Sequence, residues 1–161
     1  METTPTNFNL ALTKGEYAEG IVRLLFEDRG YVVYQPTTSG AHAFDMMAIK
    51  DKKRCLALDV KAKARRNAYP DTGINEQHYQ TYINFSRNHN MDFWVVFVDE
   101  MDGHIYGNEI NSLNYPTPRI ENSIRYFPLS NMKTLAALSA GEKDKLKSLN
   151  QRRHNYKPIK L

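Results

Sequence analysis

Cysteine is nearly absent: Cys55 is the single one among 161 residues, so no disulfide forms within the chain, and a reducing cytoplasm is the expected setting. No run of about 18 apolar residues exists, which excludes a helical membrane span. The start, Met1 to Leu12, lacks the basic residues and apolar stretch of a signal peptide. A Walker-type glycine-rich phosphate loop is missing as well. His42, His78, His89, His104 and His154 are scattered, with no pair at zinc-ligand spacing on one element. There is no internal repeat and no linker long enough to divide the chain. What is present is one domain over residues 1–161, 41% hydrophobic and able to bury a core.

Charge is mildly positive, +4 with a pI near 9.1, which suits a polyanionic partner without identifying one. Its distribution says more. Lys52, Lys53, Arg54, Lys61, Lys63, Arg65 and Arg66 fall within fifteen residues against the single acid Asp59. Residues 143–161 form a second basic run, a tail best read as solvated surface.

Residues 1–12 read as a loose leader. Thr13 and Glu16 have capping-box spacing, and Ala18, Ile21, Val22 and Leu25 recur at helical period up to the stop at Gly30. Tyr31 to Gln35 and Phe44 to Lys50 predict two strands. Arg54 to Lys63 predicts a third, with Leu56, Leu58, Val60 and Ala62 on one face and Ala57, Asp59, Lys61 and Lys63 on the other. Asn67 to Gly73 reads as a polar loop, Asn75 to Asn88 as a second helix, and Phe93 to Val98 as a buried strand. Asp102-Gly103 signals a hairpin with His104 to Ile110 as its return. Asn111 to Asn122 reads as loop, Arg125 to Leu129 as a strand, and Met132 to Leu149 as one or two helical pieces.

Asp59 is unusual in its place. A carboxylate set among Leu56, Leu58 and Val60 is costly unless paired or metal-bound. Lys61, two residues on, shares its face. Asp45 lies 14 residues upstream at a strand start and meets Asp59 if the two strands are neighbours. Two carboxylates and a lysine converging on one point could hold a divalent cation. The bland reading is an exposed strand face whose charges aid solubility. Cys55 shares that face without any pattern of a thiol nucleophile. His42 and His78 are the histidines placed to approach this point. Tyr69, Tyr79 and Tyr82 are candidates for base stacking, with core packing the better account of Tyr82.

The succession Lys14-Gly15-Glu16-Tyr17-Ala18-Glu19, Leu24-Leu25, Gly30-Tyr31-Val32-Val33, Gly40, Phe44-Asp45 and Leu58-Asp59-Val60-Lys61 resembles the PD-(D/E)XK nuclease superfamily, closest in pattern to archaeal-type Holliday junction resolvases and related small endonucleases. The resemblance covers roughly the first 100 residues. It implies an α/β fold, a restriction-endonuclease-like mixed sheet core of order αβββαβ flanked by helices. It also implies Mg²⁺- or Mn²⁺-dependent hydrolysis of DNA, with RNA a lesser candidate. Carried over residue by residue, Asp45 is the motif aspartate and Asp59 the second acidic ligand. Val60 supplies a backbone carbonyl to the metal, Lys61 is the catalytic lysine, and Glu19 holds metal or water. Lys63, Arg65 and Arg66 would contact phosphates. Gln77 corresponds to a glutamine of some branches, which place a tyrosine where this chain has Thr81. Phe44 stands where proline is usual, and Asp59 where glutamate is.

These expectations amount to a cytoplasmic metal-dependent endonuclease, possible as a homodimer built on Phe93 to Val98, its hairpin mate or Ile124 to Leu129. Two rivals carry different tests. A nucleic-acid-binding module on the same fold would bind without cutting. A protein-binding regulator of a phage or mobile element would bind no nucleic acid.

Overall fold

Pro5 opens the first helix: a proline at the first helical position loses no hydrogen bond and has its φ already set. From there α1 (Pro5–Asp28) runs unbroken. The computed structural model describes residues 5–37, 42–51, 54–114 and 119–150. The helix stops in a left-handed turn at Gly30, φ +83°. There the amides of Gly30 and Tyr31 reach back to the carbonyls of Glu27 and Phe26 at 2.9 and 3.0 Å. The Phe26 and Tyr31 rings meet edge to face at 5.1 Å across that turn, the apolar contact that accompanies this kind of C-cap.

Then follow β1 (Val32–Tyr34), β2 (Met46–Lys50), β3 (Arg54–Ala62), β4 (Asp71–Asn75), α2 (Glu76–His89), β5 (Asp92–Asp99), β6 (His104–Glu109), α3 (Ile110–Leu113), β7 (Arg119–Glu121), β8 (Ile124–Pro128), β9 (Lys133–Ala137) and α4 (Ala140–Ser148). Six strands form one mixed sheet in the order β1-β2-β3-β5-β6-β9, and β4-β8-β7 form a second, smaller one. β3 pairs antiparallel with β2 and parallel with β5, so it has a neighbour on each edge. The parallel pair requires a crossover, which α2 supplies. No helix of the described residues is long and apolar enough to cross a membrane.

The alternation of β3 divides the core in two. Leu56, Leu58 and Val60 face Ala18, Ile21, Val22 and Phe26 of α1. Ala57 faces the other way, into a cluster with Tyr79, Tyr82 and Ile83 of α2 and Phe93, Val95 and Phe97 of β5. Asp59 and Lys61 belong to that second face. α4, opened by a Ser139–Glu142 capping box, buries Leu146 in the first cluster together with Leu135 and Leu138.

Several expectations are corrected. Residues 5–12, read as part of a loose leader, are helical, and Thr13 is no cap: its hydroxyl donates to the Asn9 carbonyl at 2.9 Å in mid-helix. The loop expected over Asn67 to Gly73 ends in β4, an added strand that belongs to the small sheet. There Gly73 is required, since a Cβ would come within 2.4 Å of the Arg125 carbonyl oxygen. Asn111 to Asn122 contains α3 and β7. The helix expected from Met132 begins as strand β9, paired with β6, and only 140–148 is helical. β5, β6 and β8 are interior strands of their sheets, so their backbone edges are paired within one chain. Gly40, Lys52, Lys53 and the tail from Gln151 onward, including Arg152, Arg153, His154, Lys157 and Lys160, lie outside the described residues.

Candidate active site

The register of β2 on β3 pairs Met46 with Leu58, and the Asp45 amide extends that ladder by donating to the Leu58 carbonyl at 2.9 Å. Asp45 therefore stands opposite Asp59 on the same face. Its carboxylate Oδ2 accepts the Val60 amide at 2.6 Å, which fixes the side chain against β3. Asp59 is 5% exposed. Lys61 Nζ lies 2.7 Å from Asp59 Oδ2 at an angle that makes an ion pair without an aligned hydrogen bond, so this oxygen is buried without a hydrogen-bond partner.

Glu19 reaches the same place from α1. Burial, then the charges of Asp45 and Asp59, push its carboxyl up to about 7. Burial and the charge of Asp59 raise Asp45 to about 6, against the lowering effect of the Val60 amide and of Lys61 and His42. The alternative role of Glu19, an ion pair with Arg23, is not taken: Arg23 pairs with Glu27 at 3.1 Å. Three carboxylates thus crowd around the single ammonium of Lys61.

The crowding has a measurable cost. Both acids have folded values above their ordinary ones of 3.8 and 4.5, so the folded chain binds the extra protons. Their contribution to stability is fully present below those ordinary values and is lost as pH rises through about 6 and about 7. Urea unfolding of metal-free protein should show Asp45→Asn gaining on wild type between pH 5 and pH 8. The expected gain is on the order of 1–2 kcal/mol after discounting for solvent on the open side. A gap that stays constant with pH would show that Asp45 is not under this pressure.

The donor set fits a hard divalent cation. Such an ion needs few protein oxygens and keeps waters of its own, and Asp59 presents a buried oxygen 2.7 Å from the Lys61 ammonium. Among the described residues, however, no three His, Cys, Asp or Glu side chains close into a complete cage. The fit therefore rests on the Asp45 and Asp59 carboxylates, with the Val60 carbonyl next to them on β3 and Glu19 at the margin.

The expected phosphate contacts divide. Arg65 is open, its guanidinium 45% exposed and 3.8 Å from Asp102, while its backbone amide donates to buried Asp99 at 3.0 Å. Lys63 donates to the Gly73 carbonyl at 2.8 Å; burial of its ammonium, then Arg66 and Lys61, hold it below the ordinary lysine range although the outer part of the residue is exposed. Arg66 is committed to the fold. It grips Asp71 with two bonds of 2.6 Å, touches Glu121 at 3.3 Å and stacks on Tyr126 and Tyr69 at 3.7 and 4.5 Å. Gln77 is exposed on the first turn of α2, its amide donating to the Asn75 cap at 2.8 Å. Beyond β3 a cleft of about 910 Å³ opens between Lys14, Lys63, Arg65, Glu100 and Tyr126; the acids themselves lie outside it.

Sequence reasoning placed Tyr82 in the core but missed its contact with Asp59. Its ring stacks on Phe93 at 4.5 Å, as core packing requires, but its hydroxyl sits against Asp59. Burial, then the charge of Asp59 and a hydrogen bond to it, push that hydroxyl well above the ordinary tyrosine range. Lys61 Nζ is 5.9 Å from the same ring, and exposed His78 lies one turn earlier, 6.1 Å ring to ring. The missed signal is a tyrosine on an apolar helix face, whose hydroxyl needs a polar partner once buried.

No protein-family model matches the sequence, and no curated protein matches it. Solved structures do. A Holliday junction resolvase from the hyperthermophilic archaeon Archaeoglobus fulgidus superposes with a TM-score of 0.55 at 12% identity, over 73% of this chain and 90% of that one. A nuclease from a fusselovirus superposes with a TM-score of 0.54 at 13% identity, over 92% and 95%. The chain shares the fold of these two structures, a mixed sheet flanked by helices.

Proposed function

From this nuclease-like fold we propose a metal-dependent endonuclease that hydrolyses DNA, with the branched junctions on which a resolvase acts as a candidate substrate. The observation that carries the reading is the crowding of Glu19, Asp45 and Asp59 around Lys61 on the central strand, with two of the acids held near neutrality. Asp45, Asp59 and the Val60 carbonyl would hold Mg²⁺ or Mn²⁺, which would supply charge neutralisation at the phosphate and help to activate the attacking water. Glu19 would orient the attacking water from the α1 side. Lys61, 28% exposed at its side chain, turns from Asp59 toward the phosphate as negative charge builds there. Attack on phosphorus runs in line with the departing oxygen. Each chain carries one acid set, so cutting two strands takes two copies or two encounters.

Arg65 and Lys63 extend positive charge beyond the acids and hold the neighbouring phosphates, while Arg66 holds β3 to the small sheet. Arg65→Ala should leave the melting temperature near wild type and lower the slope of log affinity against log salt by about 1. Arg66→Ala should destabilise by on the order of 1–3 kcal/mol, because it leaves Asp71 without its partner. The reverse pattern, measured by thermal melts and DNA binding across salt, would exchange the two roles.

The reading is tested with labelled linear, nicked and four-way DNAs incubated with Mg²⁺ or Mn²⁺. Cleavage of any of them that disappears with chelator and with Asp59→Asn is the expected result. Binding without cleavage would favour the inactive module, and no binding to DNA or RNA at low salt would favour the protein-binding regulator.

A further inference from the structure

On the face of the main sheet away from Asp59 and Lys61, a second cleft of about 330 Å³ lies between the end of α1 and the sheet, walled by Phe26, Tyr31, Leu56, Trp94 and Leu135 with Arg29 and Lys50 at its rim. Among the described residues no carboxylate neutralises its cations. Lys50 Nζ donates to the Arg29 carbonyl at 2.7 Å and stands 5.4 Å from the Tyr31 ring centroid. Arg29 donates to the Leu135 carbonyl. Lys133 stands 5.2 Å from the Trp94 ring. Among the described residues none of the three has a carboxylate within ion-pair distance, although eight lysine or arginine pairs with carboxylates form elsewhere among them. Backbone carbonyls hold two of them in place without cancelling their charge.

We infer that this cleft is a second binding site, for a nucleotide: one aromatic base against Trp94 and Tyr31, with its phosphate between Arg29 and Lys50. Apolar aromatic walls with a few convergent charges are the ordinary makeup of a small-ligand site, and this volume falls at the low end of their range of roughly 300–1,000 Å³. It has room for one ring system and its anionic group. Stacking on aromatic side chains tolerates any base, because every base has a π-face, and the unneutralised cations select an anion. The choice of a nucleotide among aromatic anions rests on the proposed nuclease reading; the aromatic-anion chemistry rests on the cleft alone. The nucleotide is either free or an unpaired unit of a strand held elsewhere on the protein.

Trp94 is the only tryptophan in the chain, so its fluorescence reports on this cleft with no background from another indole. Metal-free Asp59→Asn protein, which cannot cut, is titrated with dAMP, deoxyadenosine, deoxyribose 5-phosphate and a short single-stranded oligonucleotide. Saturable quenching by dAMP or by the oligonucleotide is expected, with deoxyadenosine and deoxyribose phosphate at least about tenfold weaker, since each lacks one of the two contacts. Quenching by dAMP identifies a free nucleotide, and quenching by the oligonucleotide alone identifies a base within a strand. Arg29→Gln and Lys50→Gln, checked for folding by circular dichroism, should each weaken binding about tenfold. Calorimetry repeats the titration without relying on the indole. No response to dAMP or the oligonucleotide by either method overturns the inference, as does equal binding of deoxyribose phosphate, which would reveal a plain anion patch. Cleavage by wild type with a silent Trp94 would remove this site and leave the nuclease reading standing. A Trp94 response in a protein that never cuts would do the opposite.

Discussion

Asp59→Asn is expected to lower cleavage by at least about a thousandfold while leaving the chain folded. The asparagine keeps the shape of the side chain in a site that is 5% exposed, so no cavity forms. It removes a charge that has one oxygen buried without a hydrogen bond, which offsets the loss of the Lys61 ion pair. Lys61 can turn toward water, since its side chain is 28% exposed, so no buried cation is stranded. The expected change in stability is therefore within about 1 kcal/mol. Calorimetric titration with Mn²⁺ should show weaker binding in the same variant. Cleavage near the wild-type rate, in a sample shown by thermal melting to be folded, would remove Asp59 from the chemistry and with it the reason for placing a cation here.

Lys61→Ala is expected to lower cleavage by about 10² to 10³ while changing DNA affinity only a few-fold. An ammonium that stabilises charge developing on the phosphate contributes to the transition state far more than to the bound ground state. The ion pair with Asp59 at 2.7 Å adds a second expectation. With Lys61 gone, Asp59 loses its counter-charge, so Mn²⁺ should bind at least as tightly as in wild type. Loss of both cleavage and metal binding would mean that Lys61 holds the acids in shape and takes no part beyond that. Unchanged cleavage would rule out its assigned role.

The Asp45, Asp59 and Lys61 constellation was legible in the sequence because β3 has a strict period of two, with different partners on its two faces. Alternation reports such a strand even when both faces are covered. Glu19 was legible through family resemblance alone; helical spacing by itself offered a pair with Arg23, which Arg23 makes with Glu27 instead. The start of α1 was misread because Thr13 and Glu16 imitate a cap, while the true signal is Pro5. β4 was missed because Asp71, Thr72, Gly73 and Asn75 are poor strand residues in isolation. They pair because Arg66 holds Asp71 and because Gly73 lets the Arg125 backbone come close. β9 was read as helix because Leu135, Ala136 and Ala137 are good helix formers, and pairing with β6 overrides that preference. The grip of Arg66 on Asp71 was invisible for a related reason: a cation and an acid five residues apart carry no signal until a loop folds back.

The strand that bears Asp59 and Lys61 has a hydrogen-bonded neighbour on each edge and a hydrophobic cluster against each face. Amide protons of β3 should therefore be among the last to exchange with deuterated solvent, opening only when the whole domain does. The amides of Ala64 and Asn67, just past the strand, should exchange earlier than those of Lys63, Arg65 and Arg66, which donate to Val98, Asp99 and Asp71. The acids and the proposed phosphate contacts should then answer to heat differently: the contacts proposed for the loop should loosen first, while the acids keep their spacing until the domain melts as one.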